Sequence, residues 1–138
     1  MGETARCGKR KIHALRAILM AFAAALFIKI FILDFRVAEG YSMTPAVQPG
    51  TFLVVCRVFY GIRLPGARAY LARWRTPGVG DVVVFYTPAG DVAVKRFARA
   101  APGGMFYALG DNASQSYDSR NYGSVPKDNI IGRVLGVR

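Results

Sequence analysis

The chain is expected to fold as a mainly β protein, with a single N-terminal transmembrane helix followed by a compact antiparallel β domain. Residues 17–33 are apolar except for Lys29. Five later runs are rich in Val, Ile, Phe and Tyr, and turns bearing Pro or Gly separate them. Beyond the apolar run there is neither a long helical period nor an internal repeat. A length of 138 residues accommodates such an anchor plus one domain of modest size.

The apolar run reads AILMAFAAALFIKIFIL. As a helix it is roughly 26 Å long, a little under a hydrocarbon core of ~30 Å. Phe35 lengthens it if Asp34 sits at the boundary, which places the anchor over residues 17–35. Lys29 stands near the end of the run, where its stem can carry the ammonium to the interface. Arg6, Lys9, Arg10, Lys11 and Arg16 precede the run, with Glu3 as the only acid. That excess holds residues 1–16 in the cytoplasm and puts residues 36–138 on the outer face of the cell's inner membrane. A cleaved secretory signal is the rival. The sequence after the run, DFRVAEG, suits cleavage poorly, because Arg36 stands where a small residue is wanted.

Net charge is +11, and 13 basic against 7 acidic residues remain from Asp34 onward. A surface of that sign favours an anionic partner. The aromatic-interleaved basic motif of an RNA-binding module is missing, so anionic membrane lipid is expected and nucleic acid is not. Cys7 and Cys56 fall on opposite sides of the anchor and cannot pair within one chain. One His and two separated Cys make no metal-ligand cluster, so no metal or other cofactor is expected.

After the anchor, EGYSMTP at 39–45 presents Ser42 on a tight turn. Strands are expected at 51–58, 81–86, 91–97, 105–110 and 130–137, with Pro88-Ala89-Gly90 as a hairpin loop. Between the first two, GARAYLARWR (66–75) sets Ala67, Tyr70, Leu71 and Trp74 along one helical face, flanked by arginines. With Arg57 and Arg63 this is either a patch lying on anionic lipid or an ordinary surface helix or loop with solvated arginines.

A serine hydroxyl is a weak nucleophile and needs a neighbouring base. The only histidine, His13, precedes the anchor and lies on the wrong side of the membrane. Lys95 is the better candidate. In DVAVKRF, strand alternation sets Ala93, Lys95 and Phe97 on one face. Apolar neighbours there would disfavour the ammonium and leave the amine able to take a proton. The bland alternative is an edge-strand lysine that snorkels to water. Downstream, GDNASQSYDSRNYGSVP (110–126) is either a plain polar loop or a source of hydroxyls and of an Asp118–Arg120 brace for a buried site.

Together these segments resemble the type I signal peptidases, a family of membrane-anchored Ser/Lys proteases. The resemblance runs from about Ala24 to Val134, through ALFIKIFILDF, EGYSMTP, VFYGIRLP, GDVVVF, VKRF and the 110–126 loop. It implies a β domain of the signal-peptidase type that removes N-terminal signal peptides from exported preproteins, cutting after small residues. Ser42 would be the nucleophile and Lys95 the general base, with the Ser116 hydroxyl orienting the lysine. Asp118 and Arg120 would form a supporting pair, as would Asp111 with Arg96. Met43 and Val47 would line the pocket for the substrate's small side chain, with Gly40 and Ala93 beside them. The chain departs from the family pattern at Gly40, where some members carry a serine that donates to the oxyanion. It departs again at AVQPG after the nucleophile turn, at ARAAPGG after the lysine, and in the short stretch between Gly104 and Gly110. A penicillin-binding type acyl-serine protein is excluded, since Pro45 occupies the position three after Ser42 where that family needs lysine. A membrane-tethered β module without catalysis, or an organellar inner-membrane peptidase of the same family, remain the alternatives.

Overall fold

The structure, a computed structural model, describes residues 3–64, 67 and 69–137, the backbone alone over 3–12. Helix α1 (Glu3–Phe27) passes into a π-helical turn at Ile28–Ile32. Residues 13–32 have a mean hydropathy of 2.2 and none of that stretch is buried against the rest of the chain. Such a helix is long and apolar enough to cross a bilayer.

The helix stops at Ile32, three residues short of the expected end of the anchor. Leu33, Asp34 and Phe35 instead begin strand β1 (Leu33–Val37), paired antiparallel with β2 (Phe52–Cys56). Arg57, just past β2, fixes this boundary. Its N–H donates to Ile32 O at 2.8 Å and its guanidinium to Ile30 O at 3.0 Å. Two carbonyls left open by the end of the helix are thereby satisfied.

Seven strands make one antiparallel sheet. In chain order the remaining five are β5 (Val82–Tyr86), β6 (Val92–Ala101), β7 (Met105–Leu109), β8 (Val125–Pro126) and β9 (Ile130–Val134). Across the sheet they run β1-β2-β9-β5-β6-β7-β8. Four of the five residues of β5 are fully buried, because packed side chains cover both of its faces. Val82 and Val84 join Leu53, Val55 and Ile131 beneath the Ser42 turn, which contributes Ala38, Met43 and Val47. Val83 and Phe85 face the other way, toward Tyr60, Phe97, Phe106 and Ile130. There the Phe97 and Phe106 rings stack at 5.3 Å, and Phe106 meets Phe85 edge-on at 5.4 Å. Such pairs contribute about 0.5–1.5 kcal/mol each beyond burial, and Phe97 sits two residues beyond Lys95 on the same strand.

Residues 66–75 do not form the amphipathic helix that their spacing suggests. Ala72–Arg73 is strand β4, paired with β3 (Gly61–Ile62) as a separate two-stranded ribbon. Gly66 and Arg68 lie outside the described residues. Long-range partners override the helical period: the Tyr70 hydroxyl donates to Ile130 O at 2.7 Å, and Arg73 bonds Asp128 at 2.7 Å. The arginines are not simply solvated, since Arg73 lies over the Tyr70 ring and Arg75 over Phe59.

Candidate active site

Lys95 Nζ and Ser42 Oγ lie 2.6 Å apart, although 53 positions separate them in sequence. Strand β6 supplies the lysine and a turn between β1 and β2 supplies the serine. Five hydrogen bonds and the core hold that turn. Thr44 donates from N–H and hydroxyl to Tyr41 O, at 3.2 and 2.7 Å. Val47 N–H donates to Met43 O, and Met43 and Val47 anchor in the core. From the far side, Asn112 N–H donates to Ser42 O at 3.0 Å and Asn112 Nδ2 to Thr44 Oγ1 at 3.0 Å.

Lys95 is only 6% exposed. Among the described residues, no carboxylate lies within ion-pair distance of its amine. Burial pushes its pKa down; the Asp118 carboxylate opposes this and the Arg120 guanidinium adds to it. The two opposing charges belong to one ion pair.

That pair is built into the turn that starts helix α2 (Ser119–Tyr122). Asp118 caps the helix, taking Arg120 N–H on its carboxylate while its own N–H donates to Asn121 Oδ1. The carboxylate also accepts from Gly110 N–H at 2.8 Å and from Arg120 Nε and Nη2 at 2.9 and 2.6 Å. Burial alone would raise this carboxyl's pKa, but Arg120, the Gly110 amide and Ser116 outweigh it and hold it well below the usual carboxylate range.

The Ser116 hydroxyl donates to Asp118 Oδ2 at 2.5 Å. It makes no hydrogen bond to Lys95 among those described, so its geometric partner is the brace and not the amine. A third charged pair, Arg96 with Asp111, is bidentate at 2.8 and 2.7 Å, and Arg96 also reaches Gly80 O at 2.8 Å. It ties the residue after Lys95 to the start of the polar loop.

Gly110 closes the assembly. A Cβ there would collide with the Ser116 hydroxyl and stand 2.5 Å from Ser42 O. Only glycine lets β7 end this close to the serine turn. Strand β7 stops opposite Arg96, so residues 92–95 of β6 pair on one side only, with β5. Strand β1 likewise has a single partner, β2. These two unpaired edges flank a groove of about 570 Å³ whose lining includes Ala38, Gly40, Met43, Val47, Ala93 and both Ser42 and Lys95. Of the eleven site residues anticipated from sequence, six line the groove (Gly40, Ser42, Met43, Val47, Ala93 and Lys95), Ser116, Asp118 and Arg120 make up the brace, and Arg96 and Asp111 pair with each other; Ser116 bonds the brace where the amine was expected. Sequence reasoning missed Asn112, whose amide and side chain clamp the serine turn, and Gly110, whose lack of a side chain admits it. The GDN triplet held both, but only the fold reveals what they touch.

A groove bounded by two open strand edges, with an amine and a hydroxyl in contact at its floor, suits covalent cleavage of an extended peptide. Known proteins similar to this chain are signal and processing peptidases. A family profile described as signal peptidase, peptidase S26, matches residues 11–103 and 97–137. A probable signal peptidase I-1 from Synechocystis sp. is 24% identical over 86% of this chain and 77% of its own length. A signal peptidase I from Buchnera aphidicola is 33% identical over 56% of this chain and 24% of its own. A probable chloroplastic thylakoidal processing peptidase 2 from Arabidopsis thaliana is 23% identical over 87% of this chain and 42% of its own.

Proposed function

Because this chain belongs to the signal peptidase family, peptidase S26, we propose that it is a membrane-anchored serine endopeptidase in which Ser42 and Lys95 cut signal peptides from exported preproteins. The observation that carries the proposal is the 2.6 Å contact between Ser42 Oγ and an amine that is 6% exposed. That distance is within the reach a general base needs.

A preprotein segment adds as a strand between β1 and residues 92–95, its backbone bonding to both edges. Met43 and Val47 leave room for a small side chain next to the scissile bond. Neutral Lys95 takes the Ser42 proton as Oγ attacks the carbonyl carbon. The oxyanion is met by backbone N–H groups, chiefly that of Ser42, which no carbonyl engages among the described residues. One such donor typically contributes about 3–4 kcal/mol. Lys95 then passes its proton to the departing amine, leaving an ester on Ser42. A water gives a proton to Lys95 and its oxygen to the ester carbon, Lys95 returns that proton to Ser42 Oγ as the ester bond breaks, and the signal fragment is freed as a carboxylate, the mature chain having left as the amine. Helix α1 spans the membrane with its basic end in the cytoplasm, so groove and substrate meet at one outer interface.

Purified Ser42→Ala and Lys95→Ala proteins test the assignment, with new N-termini read by mass spectrometry. Ser42→Ala is expected to abolish processing, and Lys95→Ala to slow it roughly 10²–10⁴-fold. Wild-type processing by either variant, correctly folded, removes the dyad.

A further inference from the structure

A second groove, of about 330 Å³, lies where α1 ends, walled by Phe27, Ile30 and Phe31 on one side and by Ile62 and Trp74 on the other. The catalytic groove shares none of its lining. Seven of its nine lining residues are apolar, and the other two, Arg57 and Arg63, are both cationic. Trp74 is 56% exposed, and Ile62, Leu64 and Leu71 are likewise open. Water is a poor solvent for such a cluster.

Its position identifies a better one. One wall is the last part of the helix that crosses the bilayer, so the groove opens at the depth where acyl chains give way to headgroups. Tryptophan collects at that depth because its ring is apolar and its N–H is not. The cations fit the same depth. Arg57 commits Nη1 to Ile30 O. A guanidinium carries five N–H donors in a fork that matches a phosphate. The structure thus joins, at one level, an apolar slot for a hydrocarbon tail and a cationic rim for an anionic headgroup.

We propose that this groove binds one anionic phospholipid, its acyl chain against Phe27, Ile30 and Trp74 and its phosphate against Arg57, while Arg63, whose Nη1 and Nη2 donate to Ile130 O and Asp128 O, adds positive charge to the rim. The lipid would act as a wedge between the anchor and the β3–β4 ribbon, setting the height of the β domain above the bilayer. The inference does not depend on the Ser42–Lys95 assignment.

Trp74 is the only tryptophan in the chain, so its fluorescence reports on this groove alone. The full-length protein is reconstituted in phosphatidylcholine vesicles containing a fixed minor fraction of either phosphatidylglycerol or phosphatidylcholine brominated on the acyl chain. Brominated phosphatidylglycerol is expected to quench Trp74 several-fold more strongly than brominated phosphatidylcholine at the same fraction. Arg57→Gln should abolish that preference while leaving quenching by brominated phosphatidylcholine in place, which verifies that the ribbon still meets the membrane. Arg57→Lys should retain part of it. Equal quenching by the two lipids in the wild type would mean bulk insertion only and overturns the site. A preference unchanged in Arg57→Gln overturns it as well, and so does absence of quenching by either lipid.

Discussion

The surroundings of Lys95 oppose its charge. Every tenfold change in proton affinity corresponds to about 1.4 kcal/mol, so a buried amine with a lowered pKa is a cost carried by the native state. The sign follows from linkage. Below its native pKa the amine is protonated in both states and the full cost of burying charge is felt. Between the native pKa and the ordinary lysine value near ~10.4, only the unfolded chain holds the proton, and stability rises with pH. Lys95→Met should therefore melt at a higher temperature than wild type near neutrality, with the gap closing as pH climbs through that window; calorimetry across pH measures it. Arg120 acts through Asp118. Its bonds at 2.9 and 2.6 Å keep the carboxylate's field off the amine. Arg120→Gln should leave that charge uncompensated, raise the Lys95 pKa and move the acid limb of the pH–rate profile to higher pH. Arg120→Lys should restore part of the displacement. A merely structural role for Arg120 would lower activity without moving the limb.

At the scale of elements, the site is a junction between the serine turn, β6 and the loop leaving β7. Gly110 is where they touch. Gly110→Ala must push Ser42 O or Ser116 aside, so kcat should fall by an order of magnitude or more, roughly the effect of a misplacement near 1 Å, while circular dichroism stays that of the wild type. Much of this junction was legible in the sequence. Runs rich in Val, Ile, Phe and Tyr, separated by turns bearing Pro or Gly, marked β2, β5, β6, β7 and β9, because buried antiparallel strands favour that composition whatever their partners. Strand β1 was hidden, since LDF continues the hydropathy of the anchor and becomes extended only by pairing with β2. The ribbon formed by β3 and β4 was hidden for a related reason. Its apolar period matches a helix, yet Tyr70 and Arg73 find partners near Ile130 and Asp128 only when extended. Ser42 and Lys95 could be picked out by chemistry, whereas the acceptor chosen by the Ser116 hydroxyl depends on which oxygen lies nearest in three dimensions.

At the scale of the whole molecule, a helix long and apolar enough to cross a bilayer leads into the β domain that carries the groove. Strand β5 forms the spine, buried on both faces, with the serine turn packed on one side and Phe85 packed edge-on into the aromatic cluster on the other. Because both sides of the site rest on that strand, the Ser42–Lys95 distance is a property of the folded domain and not of one loop. The account stands on an uncharged Lys95 drawing the proton from Ser42. The dependence of kcat/KM on pH for preprotein cleavage by the membrane-reconstituted wild type tests it most directly, because that parameter reports the free enzyme's essential base. It should rise about tenfold per pH unit and level off with a midpoint well below the ordinary lysine value near ~10.4, and Lys95→Ala should lack the curve altogether. A profile that is flat, or one that survives intact in Lys95→Ala, would contradict it.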